Sequence, residues 1–239
     1  MGGQEPTKWS DVHLHITDRR ESGMKTNDHI VFVVDDDARI REALSELLAS
    51  HGIQAMTYGS ASEYVRADKP DVPASLILDV ELPDINGLDL QKQIADGNHP
   101  PIVFITGHGD IPSSVRAIKD GAVDFLTKPF SDDELMNAVR AGLAQDRLAR
   151  LGRAEMAALR GRYASLTSRE RDVLPLVISG LLNKQAAAEL GISEVTLQMH
   201  RRSVMQKMGA ASLADLVRMA EKLQVPVTHS RRTGAPDRE

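Results

Sequence analysis

Short apolar runs rich in β-branched residues recur through the first half of the chain and predict buried strands. They are VFVV (31 to 34), SLILDV (75 to 80), PIVFIT (101 to 106) and VDFLT (123 to 127), with the weaker run IQAMT (53 to 57) as a fifth. Between them lie helical patterns, the first with Ile40, Leu44 and Leu48 on one face. Short apolar strands separated by helices predict an α/β fold, a doubly wound five-stranded parallel sheet covered on both faces.

A long helical segment follows Phe130. It reads SDDELMNAVRAGLAQDRLARLGRAEMAALRGRY, contains no proline and is rich in good helix formers. Ser131 and Glu134 have the spacing of a capping box at its start. We expect a last helix of the α/β domain that continues as a helical linker. An interruption at Gly152, or two helices with a break near Gly161, fits the same residues.

The remaining chain is helical in pattern and predicts a second, all-α domain. Thr167 and Glu170 again have capping-box spacing. A short helix is predicted over residues 183–190, Gly191 makes the turn after it, and Ser193 can cap the next helix. Two helices joined by a tight glycine turn predict a helix-turn-helix.

Composition narrows the class of protein. The chain has 239 residues, 41% hydrophobic and 26% charged, which is ordinary for a folded globular protein. It has no cysteine, so disulfides and thiolate metal sites are excluded, and we expect a reducing, cytoplasmic location. No apolar run approaches the roughly 20 residues that span a bilayer, and the first 25 residues lack the apolar core of a signal peptide. Neither a membrane segment nor export is expected.

Charge divides the chain into two parts of opposite sign. Residues 28–150 contain 21 acidic and 11 basic residues, a balance of −10, whereas residues 161–225 contain 9 basic and 6 acidic residues, a balance of +3. The acidic part suits a cation or a basic partner, and the basic part suits nucleic acid. A balance of +3 is common in solvated domains, so charge alone does not identify a nucleic-acid-binding protein.

Polar residues follow several predicted strands where each strand ends. They are Asp35, Asp36, Asp79, Thr106 and Lys128. In a doubly wound sheet the site lies beyond the carboxyl ends of the strands, so these side chains converge on one edge. Clustered carboxylates suit Mg²⁺, and a lysine and a threonine can contact a phosphoryl oxygen. This predicts phosphoryl transfer with Asp79 as the nucleophile, whereas Asp37 fits a helix N-cap.

Four segments then resemble one family. VFVVDDDARIREAL, LILDVELPDINGLDL, PIVFITGHGD and GAVDFLTKPF resemble, in this order, the receiver domain of bacterial two-component response regulators. The resemblance implies a flavodoxin-like fold and phosphorylation of Asp79 by a partner histidine kinase. It implies Mg²⁺ ligands at Asp35, Asp36, Asp79 and the main-chain carbonyl of Glu81, and contacts from Thr106 and Lys128 to the phosphoryl group.

Two further roles follow from the resemblance to receivers. Phe125 is implied as the aromatic residue that changes rotamer as Thr106 moves, and a plain core phenylalanine is the alternative. Phosphorylation is expected to promote a homodimer through a surface that includes Val115, Ile118 and Lys119. The chain would accept its own phosphoryl group from a phosphohistidine or a small phosphodonor and would not be a turnover enzyme.

The predicted helix after Ser193 has two distinct faces when it is projected at about 100° per residue. Leu197, His200, Val204 and Met208 fall on one face, which we interpret as structural. Val195, Gln198, Met199, Arg202 and Gln206 lie on the other. Glutamine can pair with adenine, arginine with guanine, and an apolar side chain can contact a thymine methyl group. The second face therefore suits a DNA major groove, and a surface that binds a protein partner is the alternative.

LTSRERDVL and GLLNKQAAAELGIS, with the spacing to Met208, resemble the LuxR-type helix-turn-helix of FixJ/NarL-family response regulators. The resemblance implies base contacts by Gln198, Met199 and Arg202, and phosphate contacts by Lys184, Thr196 and Arg201. Promoter DNA and RNA polymerase are then expected partners. Because Gln198 and Met199 stand where the family varies, the target sequence is not implied.

We therefore expect a response regulator that regulates transcription. Its predicted parts are a disordered extension (1–27), a receiver domain (28–145), a helical linker (146–162), a DNA-binding domain (163–225) and a flexible tail (226–239). An enzyme with an aspartyl-phosphate intermediate, such as a phosphatase, is one alternative, although no separate acid/base residue or substrate cap is evident. A regulator whose terminal domain binds protein or RNA is another.

Overall fold

The computed structural model describes residues 29–95, 99–107 and 111–226. The predictions for residues 1–27 and for the tail from residue 227 onward fall outside this part of the chain. The α/β elements are β1 (Ile30–Val34), α1 (Ala38–Ser50), β2 (Gln54–Tyr58), α2 (Ala61–Arg66), β3 (Ala74–Asp79), α3 (Gly87–Ile94), β4 (Ile102–Thr106), α4 (Ile111–Lys119) and β5 (Asp124–Thr127). Each predicted strand is present, with bounds that differ from the prediction by one residue at most.

The strands form one parallel sheet in the order β2-β1-β3-β4-β5. Strand order reverses between β1 and β3, which is the switch point where a doubly wound sheet places its site. β1, β3 and β4 are buried along their whole length because helices cover both faces of the sheet. The predicted fold class is therefore confirmed.

Side chains of each central strand point alternately to the two faces of the sheet, so these strands contribute to a core on both faces. On one face, Phe32, Leu76 and Phe104 form a cluster with residues of α2, α3 and α4. On the other face, Val33 and Ile77 belong to a second cluster with residues of α1 and of the helix that follows β5. Helices thus pack on both faces of the sheet and hold the strand ends in position.

Helix α5 (Asp132–Ala164) is 33 residues long. Its start has the predicted capping box of Ser131 and Glu134, and its first turns pack on the sheet through residues such as Leu135 and Leu143. The helix continues through Gly152 and Gly161, so neither break that the sequence allowed is present.

In the described part of the chain, α5 is followed by four helices: α6 (Ser168–Ile178), α7 (Asn183–Leu190), α8 (Glu194–Met208) and α9 (Leu213–Lys222). Their core includes Leu174, Leu197 and Leu216 together with Leu159 of α5. Thr167 and Glu170 form the predicted capping box at the start of α6. Between α7 and α8, Gly191 adopts φ 63°, a left-handed conformation that glycine reaches without steric cost. Within the described residues, no helix has the length and apolar character needed to cross a membrane.

Candidate functional site

Three aspartates meet at the switch point of the sheet. Asp35 and Asp36 follow β1 and Asp79 ends β3, and each contributes a carboxylate oxygen to a group whose members lie within 4.8 Å of one another. Asp35 and Asp79 are buried, whereas Asp36 is exposed and leaves the cluster open to solvent. An all-oxygen set with one open side fits a hard divalent cation such as Mg²⁺.

Lys128, just after β5, closes the opposite side of the cluster. Its Nζ donates to Asp35 Oδ2 at 2.8 Å and to Asp79 Oδ2 at 2.7 Å. Burial alone would lower the pKa of Lys128, but the hydrogen bonds to the two carboxylates raise it, so the ammonium group stays charged at neutral pH. Burial raises the pKa of Asp35, although the hydrogen bond from Lys128 opposes this effect. The cluster therefore holds one fixed cation among three carboxylates.

Asp37 serves a different purpose from its two neighbours. Its side chain accepts a hydrogen bond from Arg39 N at 2.9 Å and pairs with the Arg39 guanidinium, which lowers the pKa of Asp37. It is therefore the N-cap of α1, as the sequence predicts. Its own N–H donates to Asp35 Oδ1 at 2.9 Å, which fixes the loop that carries the pair.

The remaining predicted receiver residues lie on or next to β3, β4 and β5. The main-chain N–H of Glu81 donates to Asp79 Oδ1 at 2.9 Å. Thr106 is fully buried at the end of β4, one position beyond the residue paired with Asp79, and its carbonyl accepts from Lys128 N at 2.7 Å. Phe125 is half-buried, and its ring packs on Phe104 with centroids 6.0 Å apart. The ring thus makes a core contact, which leaves its predicted switch role a prediction.

Two residues that sequence reasoning missed also shape this site. Arg41 reaches back from α1, and its guanidinium donates to the carbonyls of Asp35 (2.7 Å) and Asp36 (3.0 Å). Gly87 begins α3 so close to β3 that an added Cβ would lie 2.4 Å from the carbonyl oxygen of Asp79. Gly87 lies in a loop-forming segment and could have been noticed from the sequence. Arg41, in the first turn of a helix, resembles any solvated arginine.

Helix α8 presents the two faces that the sequence predicts. Leu197, Val204 and Met208 are buried in the helical core. On the opposite face Val195 and Met199 are each 68% exposed, an unusual exposure for large apolar side chains. This face also contains Gln198, Arg202 and Gln206, which are exposed.

The predicted phosphate-contacting residues differ in their surroundings. Lys184, in the first turn of α7, is exposed. Arg201 is half-buried and donates to Asn183 Oδ1 at 3.0 Å, which joins α8 to α7. Thr196 is half-buried beside the cap residue Ser193, with hydroxyl oxygens 2.8 Å apart. Arg201 and Thr196 thus make contacts within the protein, and their phosphate contacts stay predictions.

The predicted dimer surface on α4 is accessible. Val115 is 46% exposed and Ile118 is 47% exposed, and Lys119 is exposed beside them. Ile111, at the start of the same helix, adds a fourth exposed side chain.

A receiver-like sheet with an acidic cluster, joined by one helix to a helix-turn-helix domain, defines a signal-responsive DNA-binding protein. The family described as "Response regulator receiver domain" matches residues 31–140, and the family described as "Bacterial regulatory proteins, luxR family" matches residues 164–220. The chain belongs to the two-component response regulators with a LuxR-type DNA-binding domain, which regulate transcription.

Similar proteins extend over most of the chain. Nodulation protein W of Bradyrhizobium diazoefficiens is 50% identical over 205 residues, covering 85% of this chain and 90% of that protein. Transcriptional regulatory protein FixJ of Azorhizobium caulinodans is 46% identical over 193 residues, covering 80% and 90%. The solved structure of response regulator StyR is 46% identical, covers 81% of this chain and 98% of its own, and has a TM-score of 0.73.

Proposed function

We propose that a sensor histidine kinase phosphorylates Asp79 and that this modification promotes dimerisation and sequence-specific binding to promoter DNA. One observation carries the proposal. Lys128 Nζ lies 2.7 Å from Asp79 Oδ2 and 2.8 Å from Asp35 Oδ2, beside a solvent-open Asp36. A buried carboxylate held by a cation, beside a second buried carboxylate and a solvent-open one, suits attack on an incoming phosphoryl group.

The transfer itself follows from the contacts of Asp79. Its carboxylate oxygen attacks phosphorus, the bond from phosphorus to the kinase imidazole nitrogen breaks, and the imidazole leaves with the electron pair. An acyl phosphate forms on Asp79. The Lys128 ammonium group lies where it can neutralise charge on the transferred group, and the N–H of Glu81 orients the carboxylate at 2.9 Å.

A divalent cation would be held by Asp35, Asp36, Asp79 and the carbonyl of Glu81. When bound, Mg²⁺ supplies positive charge that lets a negatively charged phosphoryl donor approach three carboxylates. Asp36 is the ligand most open to solvent among the three aspartates, so it is also the one whose removal disturbs packing least.

The phosphorylated state is proposed to act through the α4 surface. Thr106 would contact the new phosphoryl group, and Phe125 would change rotamer with it. Val115, Ile118 and Lys119 would then pair with a second copy and place two α8 helices on two half-sites. To convert a 1:99 population to 99:1 takes about 5.5 kcal/mol of differential stabilisation, which is within reach of a few charge-assisted contacts.

On DNA, Gln198, Met199 and Arg202 are proposed to contact bases, and Lys184, Thr196 and Arg201 to contact phosphates. The exposure of Met199 beside Arg202 supports this surface, because an apolar side chain there gains only when a partner covers it. The proposed domains remain 28–145 and 163–225, with α5 extending across the linker between them.

Phosphorylation is tested with acetyl phosphate and Mg²⁺ on the full chain. Wild type is expected to incorporate one phosphoryl group, and Asp79→Asn and Asp36→Ala none. Asp37→Ala is the matched control, because it removes an adjacent carboxylate that caps a helix, and it should be phosphorylated normally. If Asp79→Asn bound the promoter as tightly as phosphorylated wild type, the switch would be wrong.

DNA binding is tested by salt-dependent titration with duplex promoter fragments. Arg202→Ala should weaken specific binding by about 1–3 kcal/mol. Arg169→Ala, an exposed arginine on α6, is the control and should bind like wild type. Unchanged affinity in Arg202→Ala would favour a terminal domain that binds protein or RNA. Repeated turnover of a small phosphomonoester would favour the phosphatase alternative.

A further inference from the structure

The middle of α5 contains no buried residue. After Asp146, the next buried residue of this helix is Leu159, so none of residues 147–158 is buried in this fully described helix. At 1.5 Å per residue, this bare stretch of twelve residues spans about 18 Å. Isolated helices of about this length are marginal in water, and Gly152 in the middle makes the helix less stable than alanine would. The stretch therefore depends on what holds its two ends.

The end near the DNA-binding domain is held by packing. Leu159 lies in the core of α6 to α9, and Glu155 pairs with Lys222 of α9 at 3.0 Å.

The end near the receiver is held by a polar cluster centred on Asp146. The Asp146 side chain is 4% exposed, and its Oδ2 accepts from Ala74 N at 2.9 Å and from Arg150 Nε at 2.7 Å. Arg150 also pairs with Asp71, in the loop before β3, and Arg153 lies 3.5 Å from Asp146 Oδ1. A buried carboxylate bound by a main-chain N–H and a guanidinium is costly to break, because each partner would lose a charge-assisted bond away from water.

The cluster is attached to the strand that carries the phosphoacceptor. Ala74 is the first residue of β3 and Asp79 is the last, and β3 is buried and paired with a strand on each side. A strand held on both edges is a stiff element. The anchor of the linker helix and the proposed site of phosphorylation therefore lie at opposite ends of the same strand.

We infer that Asp146 and Arg150 are positioning residues that fasten the linker helix to β3 and thereby fix where the receiver holds the DNA-binding domain. The inference rests on the proposed function, since a fixed placement matters for regulation only if the state of the receiver is passed along α5. Without this fastening, α5 can leave the receiver after its last apolar contact, Leu143, and the bare stretch loses one of its two supports.

The test measures the distance between the two domains in the unphosphorylated full-length chain. The chain has no cysteine, so Ala49→Cys on α1 and Glu221→Cys on α9, both at exposed positions, accept spin labels specifically. Pulsed electron spin resonance then gives the distribution of distances. A fastened helix predicts one narrow distribution.

Arg150→Gln and Asp146→Asn should broaden this distribution. The loss of a hydrogen bond to a charged group shifts such an equilibrium by about tenfold or more, so a detached population becomes visible. Arg150→Lys keeps the cation and should restore the narrow distribution, which a general loss of packing would not allow. Arg169→Gln breaks an exposed ion pair with Asp172 and is the control, expected to match wild type.

The same variants are phosphorylated and titrated with promoter DNA. Asp79 should be phosphorylated to the wild-type extent in all of them, while the gain in DNA affinity on phosphorylation falls in Arg150→Gln and returns in Arg150→Lys. Wild-type distances in both Arg150→Gln and Asp146→Asn would overturn the inference, as would a broad distribution in wild type. A wild type whose DNA affinity ignores phosphorylation would refute the proposed function instead, and the distances would still decide whether the helix is fastened.

Discussion

Replacement of Glu170 by glutamine should loosen the packing of α8 on α6, because this carboxylate joins the two helices. Glu170 Oε2 accepts from Thr167 N and from Lys207 Nζ, each at 2.7 Å, and Oε1 accepts from Ser203 Oγ at 2.5 Å. Its side chain is 6% exposed. Ser203 and Lys207 belong to α8 and Thr167 caps α6, so two bonds from α8 to this one carboxylate set how α8 lies on α6.

The size of the effect follows from the pKa of Glu170. Burial by itself would raise this pKa, but the hydrogen bonds from Lys207, Ser203 and Thr167 lower it from 4.5 to about 2. At about 1.4 kcal/mol per pKa unit, a lowering of this size corresponds to roughly 3 kcal/mol before solvent screening is considered. Because Lys207 is 34% exposed and solvent screens its charge, we expect a loss of about 2 kcal/mol in Glu170→Gln at pH 7.

The pH dependence has a definite sign. A carboxylate whose pKa is lower in the folded than in the unfolded chain stabilises the fold fully above the unfolded value, here near 4.5. That stabilisation is lost as the pH falls from 4.5 toward 2. The difference in stability between wild type and Glu170→Gln should therefore be constant from pH 7 to about pH 5 and should shrink below it.

Hydrogen exchange read by mass spectrometry measures the effect in the full chain, because it resolves the two domains. In Glu170→Gln the opening free energy of amides in α6 and α8 should fall by about 2 kcal/mol, with amides of β1 and β3 unchanged. Glu194→Gln, at an exposed position of α8, is the control. Calorimetry at pH 7 and pH 3 gives the pH dependence. Equal protection of α8 in both proteins, or a difference that persists at pH 3, would refute the reasoning.

Further substitutions test other parts of the chain. Gly142→Ala should destabilise the receiver by about 1–3 kcal/mol in urea denaturation, because the new Cβ would lie 2.5 Å from Ser75 Oγ, and Ser75→Ala in the same chain should recover part of the loss. Asp37→Ala should lower receiver stability by about 1 kcal/mol through the lost N-cap, seen as a lower urea midpoint with an unchanged slope. Met199→Ala should weaken DNA binding at unchanged stability, whereas Val204→Ala, at a fully buried position, should cost about 2 kcal/mol of stability. Thermal melts in which Met199→Ala lost stability and Val204→Ala did not would contradict the assigned faces of α8.

The hydrophobic pattern predicts the sheet well, because burial of a strand on both faces can be read from that strand's own residues. VFVV and SLILDV can be buried on both faces only as central strands, and the polar residue that ends each run must then lie at the same edge. This rule is enough to bring Asp35, Asp79 and Lys128 together without any knowledge of distances. The length of α5 cannot be predicted from the sequence, for the opposite reason. Gly152 and Gly161 weaken a helix, and only the anchors at its ends, which are remote in sequence, decide whether it continues.

Some residues that pair across elements away from the strand ends could not be predicted from the sequence. Asp146 lies among arginines at helical spacing and would be read as part of a solvated charged face, yet it accepts the N–H of Ala74, 72 residues away. Arg41 likewise resembles a surface residue of α1 until its guanidinium is seen on the carbonyls that precede the helix. Burial of a charged side chain is a property of the packed elements, and no periodicity encodes it.

Among the residues that the structure describes, Asp146 and Glu170 are the two buried carboxylates outside the acidic cluster, and they have a common arrangement. Asp146 accepts a main-chain N–H at the start of β3 and a guanidinium from α5, and Glu170 accepts a main-chain N–H at the start of α6 and an ammonium group from α8. One lies before the bare stretch of α5 and the other just after the end of that helix. Each carboxylate accepts a main-chain N–H and a cationic donor, so its removal leaves more than one partner unsatisfied and costs more than the ion pair itself contributes. Hydrogen bonds are directional, whereas apolar packing is not, so Asp146 fixes how α5 lies on β3 and Glu170 fixes how α8 lies on α6.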